Sequence, residues 1–393
     1  MTTGSSAFAV PDLDALPAMD VAARTARLRN AMGDVVGGCE ALLVTDLVNI
    51  RWLTGFTGSA ARLLVLPDEL LFVTDGRYEA QAADQLAAAG VDAVIAIGRT
   101  QAAQREVITT AAVGLGRVGL EADAVTWADQ RQYATDWFPD AELVPTQALA
   151  ATLRIEKDDG EIARVEAAAA IATAALDRIR HRLLERPTEA DFGLELDTEM
   201  RRLGATGPSF ETIVASGPNG ARPHHRPGGR TITEGDLVVL DFGALVDGYC
   251  SDMTRTVAVG ELSATQRRMV EVVTEAQRAG VAAMRAGVGC RAVDAACRDV
   301  IAAAGWGDAF AHGTGHGVGL VIHEDPRVSA AAPEDATIAR RTIVTVEPGV
   351  YLPDHGGVRI EDTVVVTDDG CRPLTHAPKD PAWPSRPTTS RTA

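Results

Sequence analysis

The chain has 393 residues, 46% hydrophobic and 23% charged, a composition that supports cores of its own and fits two domains. Asp and Glu number 54 against 37 Lys and Arg, a net charge of −17. A surface so acidic repels a phosphate backbone, and no basic run offsets it, which argues against nucleic acid as a partner. Five cysteines, with no Cys-x-x-Cys pair, argue against a disulfide framework or a structural zinc site and favour a reducing compartment. Cys290 and Cys297 lie on one face of a helix and read as packed thiols. The start, MTTGSSAFAV, has no basic n-region, and no apolar run reaches membrane-spanning length. The expectation is a soluble, cytoplasmic protein with no membrane partner.

Residues 1–17 carry small residues and prolines and are expected to form a loose arm. A domain over 18–155 follows. Ala41–Thr45, Arg62–Leu66, Leu70–Thr74 and Ala93–Ile97 read as buried strands, with a turn at Pro67-Asp68. Tyr78–Ala89 reads as a helix stopped by Gly90, so this domain is α/β. A second, α+β domain is expected over 156–376. Asp158 and Glu161 form a capping-box pattern. Ile162, Val165, Ala169, Ala172, Leu176, Ile179 and Leu183 then mark one helical face up to Pro187. Further helices are predicted from Thr188 to Gly204 and from Ser263 to near Gly287. Residues 377–393, rich in proline and polar side chains, are expected to form a disordered tail.

Four segments carry candidate chemistry. In LVVLDFGALVDGYCSDMTRTVAV (237–259), Asp247-Gly248 predicts a two-residue hairpin turn. That register pairs Val246 with Tyr249 and Gly243 with Asp252, placing Asp241 diagonal to Asp252 at roughly 7–8 Å. One Asp could simply be solvated, but an acid following Val238-Val239-Leu240 is buried and needs a partner, and a shared cation supplies one. In AHGTGHGVGLVIHEDP (311–326), His312, His316 and His323 are three of the eight histidines. Gly-Thr-Gly is a poor helix, and no Glu follows His312, so this is not a zinc-protease helix. Glycines instead let backbone approach a site, with a strand presenting His323. In TIVTVEPGVYLPDHGGVRIEDTVVVT (342–367), Glu347 ends a β-branched run, and Glu361 sits in a predicted strand, Val358–Thr367. Alone, each could be an acid at a strand edge. Together, Asp241, Asp252, His316, Glu347 and Glu361 make an oxygen-rich set suited to Mn²⁺ or Co²⁺ more than to structural zinc. Four carboxylates are better balanced by two divalent ions than by one. In FETIVASGPNGARPHHRPGGR (210–230), His224 and His225 sit in a Pro/Gly-rich loop, where His224 is a candidate proton donor or hydrogen-bond partner.

These blocks, in this order, resemble the pita-bread metallopeptidases, specifically the proline-peptidase branch of aminopeptidase P and prolidase. The segments NIRWLTGFTGS (49–59) and VTDGRYEAQA (73–82) resemble the creatinase-like domain that precedes the catalytic domain in that branch. The resemblance implies an α/β creatinase-like N-terminal domain followed by an α+β pita-bread catalytic domain. It implies two divalent ions, Mn²⁺ foremost with Co²⁺ or Zn²⁺ as alternatives, held by Asp241, Asp252, His316, Glu347 and Glu361. Asp252 and Glu361 would bridge the ions, and Glu347 would also serve as acid/base. His224 would contact substrate around the scissile bond and His323 would stabilise the oxyanion. His312 and Arg359 would lie at the proline-binding end, and His225 matches no family role. The implied activity is metal-assisted hydrolysis of peptides with proline second. A Xaa-Pro aminopeptidase is favoured by TGFTGS and TDGRY, a Xaa-Pro dipeptidase stays open, and a non-hydrolytic peptide binder or a lyase on the same fold is a more distant alternative. Val321 stands where many relatives carry Glu, which bears on subsite preference. A homodimer is implied, with Asn49–Thr57 near the partner's active site.

Overall fold

A computed structural model describes residues 8–35 and 38–382. The chain divides into Ala18–Arg154 and a second unit that joins the segment ending at Pro17 to Ile155 onward. The division falls one residue before the boundary expected from the sequence.

The first unit is built on a six-stranded sheet in the order Val94–Ile97, Leu70–Thr74, Ala61–Val65, Ala41–Val44, Arg117–Glu121, Glu142–Thr146. The Ala61–Val65 strand is antiparallel to both its neighbours, and the remaining pairings are parallel. Ala41–Val44 is buried throughout, as expected of an interior strand covered on both faces, which explains its unbroken apolar run. The four predicted strands and the helix Glu79–Ala88 fall within a residue of their expected ends. Arg117–Glu121 and Glu142–Thr146 escape a sequence reading because charged residues stand at their ends.

In the second unit, helix Asp159–Ile179 starts with both halves of the Asp158/Glu161 capping box in place. Val165, Ala169, Ala172, Leu176, Ile179 and Leu183 are all buried, the last four in one core, while Ile162 is half-buried at the first turn. That core also takes helix Glu189–Arg202 and strands Leu237–Phe242 and Met253–Ala258. A second core packs helices Ala264–Ala283 and Cys290–Ala303 on strands Ile343–Val346, Gly349–Leu352, Gly356–Arg359 and Asp362–Val366. Cys290 and Cys297 are packed thiols within it, and all five cysteines are free.

The hairpin forms in the predicted register. Val246 pairs with Tyr249, and in the neighbouring sheet the same register sets Met253 opposite Phe242 and Thr254 opposite Asp241. Asp247 and Gly248 both have positive φ, as a two-residue turn with the twist of the flanking strands requires. A Cβ at Gly243 would come within 1.8 Å of the Ser251 carbonyl oxygen, so only glycine lets the strands close between the two aspartates.

Three expectations are corrected. The described part of the N-terminal arm is not loose: Val10, Leu13 and Leu16 pack on the first core, and Arg164 Nη1 donates to Pro17 O at 2.8 Å. Spacing of three places these side chains on one side of the segment. Residues 1–7 lie outside the described residues. Nor does the ordered chain end at His376. Arg255 Nε donates to Ala377 O at 2.9 Å, Ala258 N to Pro381 O at 2.8 Å, and Lys379 Nζ pairs with Asp362 at 2.5 Å. Proline and polar content concealed this, because hydrogen bonds to buried groups, together with the small Ala377 side chain in the first core, hold the segment. Positions 383–393 lie outside the described residues. Finally, Val358–Thr367 is not one strand: it breaks at Ile360-Glu361, where the chain leaves the two-stranded ribbon Gly349–Leu352/Gly356–Arg359 for the five-stranded sheet. Among the described residues no helix is long and apolar enough to cross a membrane.

Candidate metal centre

The hairpin and the five-stranded sheet bring the predicted acids together. Asp241 comes from strand Leu237–Phe242, Asp252 from the return of the hairpin, and Glu361 from the break between strands. Each offers a carboxylate oxygen, all within 4.8 Å of one another. His316, on the short strand Gly315–Gly317, places Nε2 3.5 Å from Asp252 Oδ2 and 3.5 Å from Glu347 Oε1. Its Nδ1 lies 3.0 Å from Gly317 O, a contact that requires the proton on Nδ1 and leaves the Nε2 lone pair facing the carboxylates. Glu347 follows strand Ile343–Val346 and is tied by its N–H to Thr314 O at 2.7 Å.

Carboxylates this close repel one another. Burial, then Glu361, Asp241 and Glu347, push Asp252 well above the carboxylate range. Burial, then Glu347 and Asp241, do the same to Glu361. Burial pushes Glu347 up to about 8, against the pull of Arg359. Burial brings His316 down to about 4, so its imidazole is neutral and able to ligate. Asp241 Oδ1 and Glu361 Oε1 are buried with no hydrogen-bond partner, whereas Thr254 Oγ1 donates to Glu361 Oε2 at 2.7 Å. Buried oxygens are normally satisfied. Orphaned oxygens, mutual repulsion and a neutral imidazole are what a divalent cation would resolve, and oxygen donors with one nitrogen match Mn²⁺-type ions.

Around this cluster lies a cavity of about 560 Å³, lined also by His224, His312, His323, Phe210, Ile322 and Arg327. The His316 and His323 rings meet edge to face with centroids 4.4 Å apart. Glu324, beside His323, makes a buried 2.9 Å ion pair with Lys157 and accepts from Val321 N at 3.2 Å, which fixes the loop carrying His323. Val321 is half-buried. Arg359 is 3% exposed and fully engaged with protein: Nη2 donates to Asp241 Oδ2 at 2.6 Å, Nη1 to Tyr351 Oη at 2.7 Å and to Pro223 O at 3.3 Å, and Nε to Thr254 Oγ1 at 3.0 Å. Burial pushes Tyr351 up to about 12, so it keeps its proton, which goes to His312 Nε2 at 2.8 Å.

His225 does not join the cluster. It turns back to Glu189, with Nε2 at 2.8 Å. Tyr351, Thr254 and Glu189 were not legible as site residues. Tyr351, one of four tyrosines and directly after Pro348-Gly349-Val350, offered the only clue.

Residues 163–368 match Metallopeptidase family M24, and residues 24–155 match the Creatinase/Prolidase N-terminal domain. The chain belongs to metallopeptidase family M24. Its architecture is that of the pita-bread proline peptidases, a creatinase-like domain followed by the catalytic domain. An uncharacterized peptidase of Bacillus subtilis is 41% identical over 354 residues, 90% of this chain and 98% of that one. A Xaa-Pro dipeptidase from Bacillus anthracis superposes with a TM-score of 0.84 at 39% identity, covering 92% of this chain and 99% of the other. An X-Pro aminopeptidase from Thermotoga maritima gives 0.80 at 30% identity, covering 90% and 99%. As a member of this family the protein is a metallopeptidase that uses divalent metal.

Proposed function

We propose that this protein is a Xaa-Pro aminopeptidase that uses two divalent ions, Mn²⁺ foremost, to release an N-terminal residue from a following proline. The observation that carries the reading is the pair of orphaned, buried oxygens, Asp241 Oδ1 and Glu361 Oε1, set among carboxylates that repel one another beside a neutral His316. Asp241, Asp252, His316, Glu347 and Glu361 would hold the ions. Bound there, the ions supply Lewis-acid polarisation of the scissile carbonyl and a water acidic enough to be a nucleophile near neutral pH.

The remaining work falls to side chains. Glu347, whose carboxylate borders the cavity beside His316, would take the proton of the attacking water and return it to the departing nitrogen. That return matters because an X-Pro nitrogen carries no hydrogen and leaves only once protonated. His323, facing the cavity, would donate to the developing oxyanion. His224, also at the cavity, would contact the peptide around the scissile bond. His312 would border the proline, its ring held by Tyr351, and Arg359 would act at that end through Tyr351 and Asp241.

A second reading, a Xaa-Pro dipeptidase, is supported by the 39% identity to the Bacillus anthracis protein of that name. We also propose a cytoplasmic homodimer; Thr57, at the end of the segment expected near a partner, is exposed, while Asn49 is committed to Glu121 and Arg154 within its own unit. Light scattering tests the dimer. For the activity, metal-stripped protein is reloaded with Mn²⁺ and given Ala-Pro, Ala-Pro-Ala and Ala-Ala. Release of alanine from the tripeptide is expected. Cleavage of Ala-Pro alone establishes the dipeptidase, and no metal-dependent cleavage of any of them overturns both.

A further inference from the structure

His224 and His225 are neighbours in sequence and both border the cavity, yet His224 is exposed there, while His225 is half-buried with its Nε2 on Glu189. Glu189 has no solvent exposure and stands at the first turn of helix Glu189–Arg202. Its carboxylate gathers Ser216 N at 2.8 Å, Ser216 Oγ at 2.7 Å, Asn219 Nδ2 at 3.0 Å, His225 Nε2 at 2.8 Å and Gly228 N at 3.3 Å. Burial alone would raise such a group, but the donors from Ser216, Asn219 and His225 outweigh it and hold Glu189 below its ordinary value. The acid is therefore ionised and strongly accepting at neutral pH.

The base of the loop is stitched to the same helix start, with Glu189 N donating to Arg230 O and Ala190 N to Gly228 O, each at 3.0 Å. Its tip has no strand ladder. On one side of His224, the Pro223 carbonyl accepts from Arg359 Nη1 at 3.3 Å. On the other side, the His225 ring reaches Glu189. The remaining side-chain tie, Arg226 to Glu211, is exposed at both ends and worth little.

We propose that Glu189 and His225 are positioning residues for His224: the buried carboxylate, through His225, and Arg359, through Pro223, clamp the chain on either side of His224 and hold its imidazole in the cleft. Fixing both neighbours restricts the backbone of the residue between them, adding to the fixed φ of Pro223 and to the turn bond from His225 N to Arg222 O at 3.2 Å. His224 also sits close enough to His312 and His323 for its charge to bear on both. The effect on turnover rests on the Xaa-Pro peptidase reading; the effect on the loop does not.

The test uses the Mn²⁺-loaded full chain and the variants His225→Ala, His225→Gln, His224→Ala and the double His224→Ala/His225→Ala. Glutamine can still donate an N–H to Glu189. Turnover of an Xaa-Pro peptide, Mn²⁺ affinity and amide hydrogen exchange over residues 222–229 are measured for each. His225→Ala is expected to lower kcat about 10- to 100-fold, leave Mn²⁺ affinity unchanged and speed exchange in the loop. His225→Gln should recover most of both losses. In the His224→Ala background, His225→Ala should cost no further kcat. The proposal is overturned if His225→Ala lowers kcat equally in that background, or if loop exchange is unchanged. Should the parent protein cleave no Xaa-Pro peptide, the functional reading fails, while the exchange data still decide whether His225 holds the loop.

Discussion

Arg359 Nη2 lies 2.6 Å from Asp241 Oδ2, with 3% of the arginine side chain and 14% of the aspartate side chain exposed. The bond occupies one carboxylate oxygen and leaves Oδ1 without a partner. Arg359 thus orients a candidate metal ligand from behind, and it reaches Tyr351, Thr254 and Pro223 with the rest of its fork. Lysine cannot reproduce that planar set of donors. Arg359→Lys is expected to weaken Mn²⁺ binding about 10- to 100-fold, the usual consequence of losing a residue that orients a ligand. Calorimetric titration of the stripped protein checks this; unchanged affinity would mean that Asp241 needs no such support.

Glu361 is pushed up by burial and by the charges of Glu347 and Asp241. Glutamine in its place removes a repelling acid while keeping the shape and an acceptor for Thr254. In chelator, Glu361→Gln should melt no lower than the parent protein. Saturating Mn²⁺ should raise the parent's Tm, by the equivalent of about 2.7 kcal/mol at a hundred times Kd, and leave the variant's almost unmoved. Equal metal-induced shifts in both proteins would remove Glu361 from the ligand set.

Acid should destabilise the second unit through Asp362 as well as Glu189. Burial raises Asp362, but Arg255 and Lys379 prevail and hold it below its usual value. A carboxylate whose folded pKa is depressed contributes stability that is present above its unfolded pKa, about 4, and is lost as pH falls through the folded value. The stability gap between the parent protein and Asp362→Asn should therefore be widest near neutrality and shrink below about pH 4. Urea unfolding at a series of pH values measures it, and a gap that widens on acidification contradicts the assignment.

The segment after His376 should be worth more than its composition suggests. Lys379 is 36% exposed, and Asp362 keeps Arg255, Gln277 and Thr375 when it is lost, so Lys379→Ala should cost only about 1 kcal/mol. Truncation after His376 should cost more, because the buried Arg255 Nε then loses the Ala377 carbonyl. Thermal melts of the two variants should rank in that order, and a truncated chain that melts like the parent would show the segment to be dispensable.

Periodicity made legible four strands and one helix of the first unit and the helices Asp159–Ile179, Glu189–Arg202 and Ala264–Ala283 of the second, and the Asp247-Gly248 turn set the hairpin register from which the Asp241–Asp252 diagonal follows. Both signals are local, since a turn and its adjoining strands carry their own geometry. The N-terminal arm and the segment 377–382 misled for the converse reason. Their order comes from Leu13, Leu16 and the carbonyl of Ala377 meeting partners far away in the chain. Val358–Thr367 reads as one strand because its composition never changes, although the chain turns at Glu361 to pass between sheets.

By itself the sequence singled out the candidate residues: acids and histidines set in apolar or glycine-rich runs, in four segments whose order marks the family. It could not determine how those side chains are divided between ligation and support. His224 and His225 are alike in type, adjacent in the chain and both at the cavity, yet His224 is exposed there and His225 is tied to Glu189. Arg359 looked available to substrate and instead spends its donors on Asp241, Tyr351, Thr254 and Pro223. Side-chain direction depends on which distant groups share a buried space, and only tertiary packing brings together Glu189, Ser216 and His225, or Asp241, Glu361 and His316.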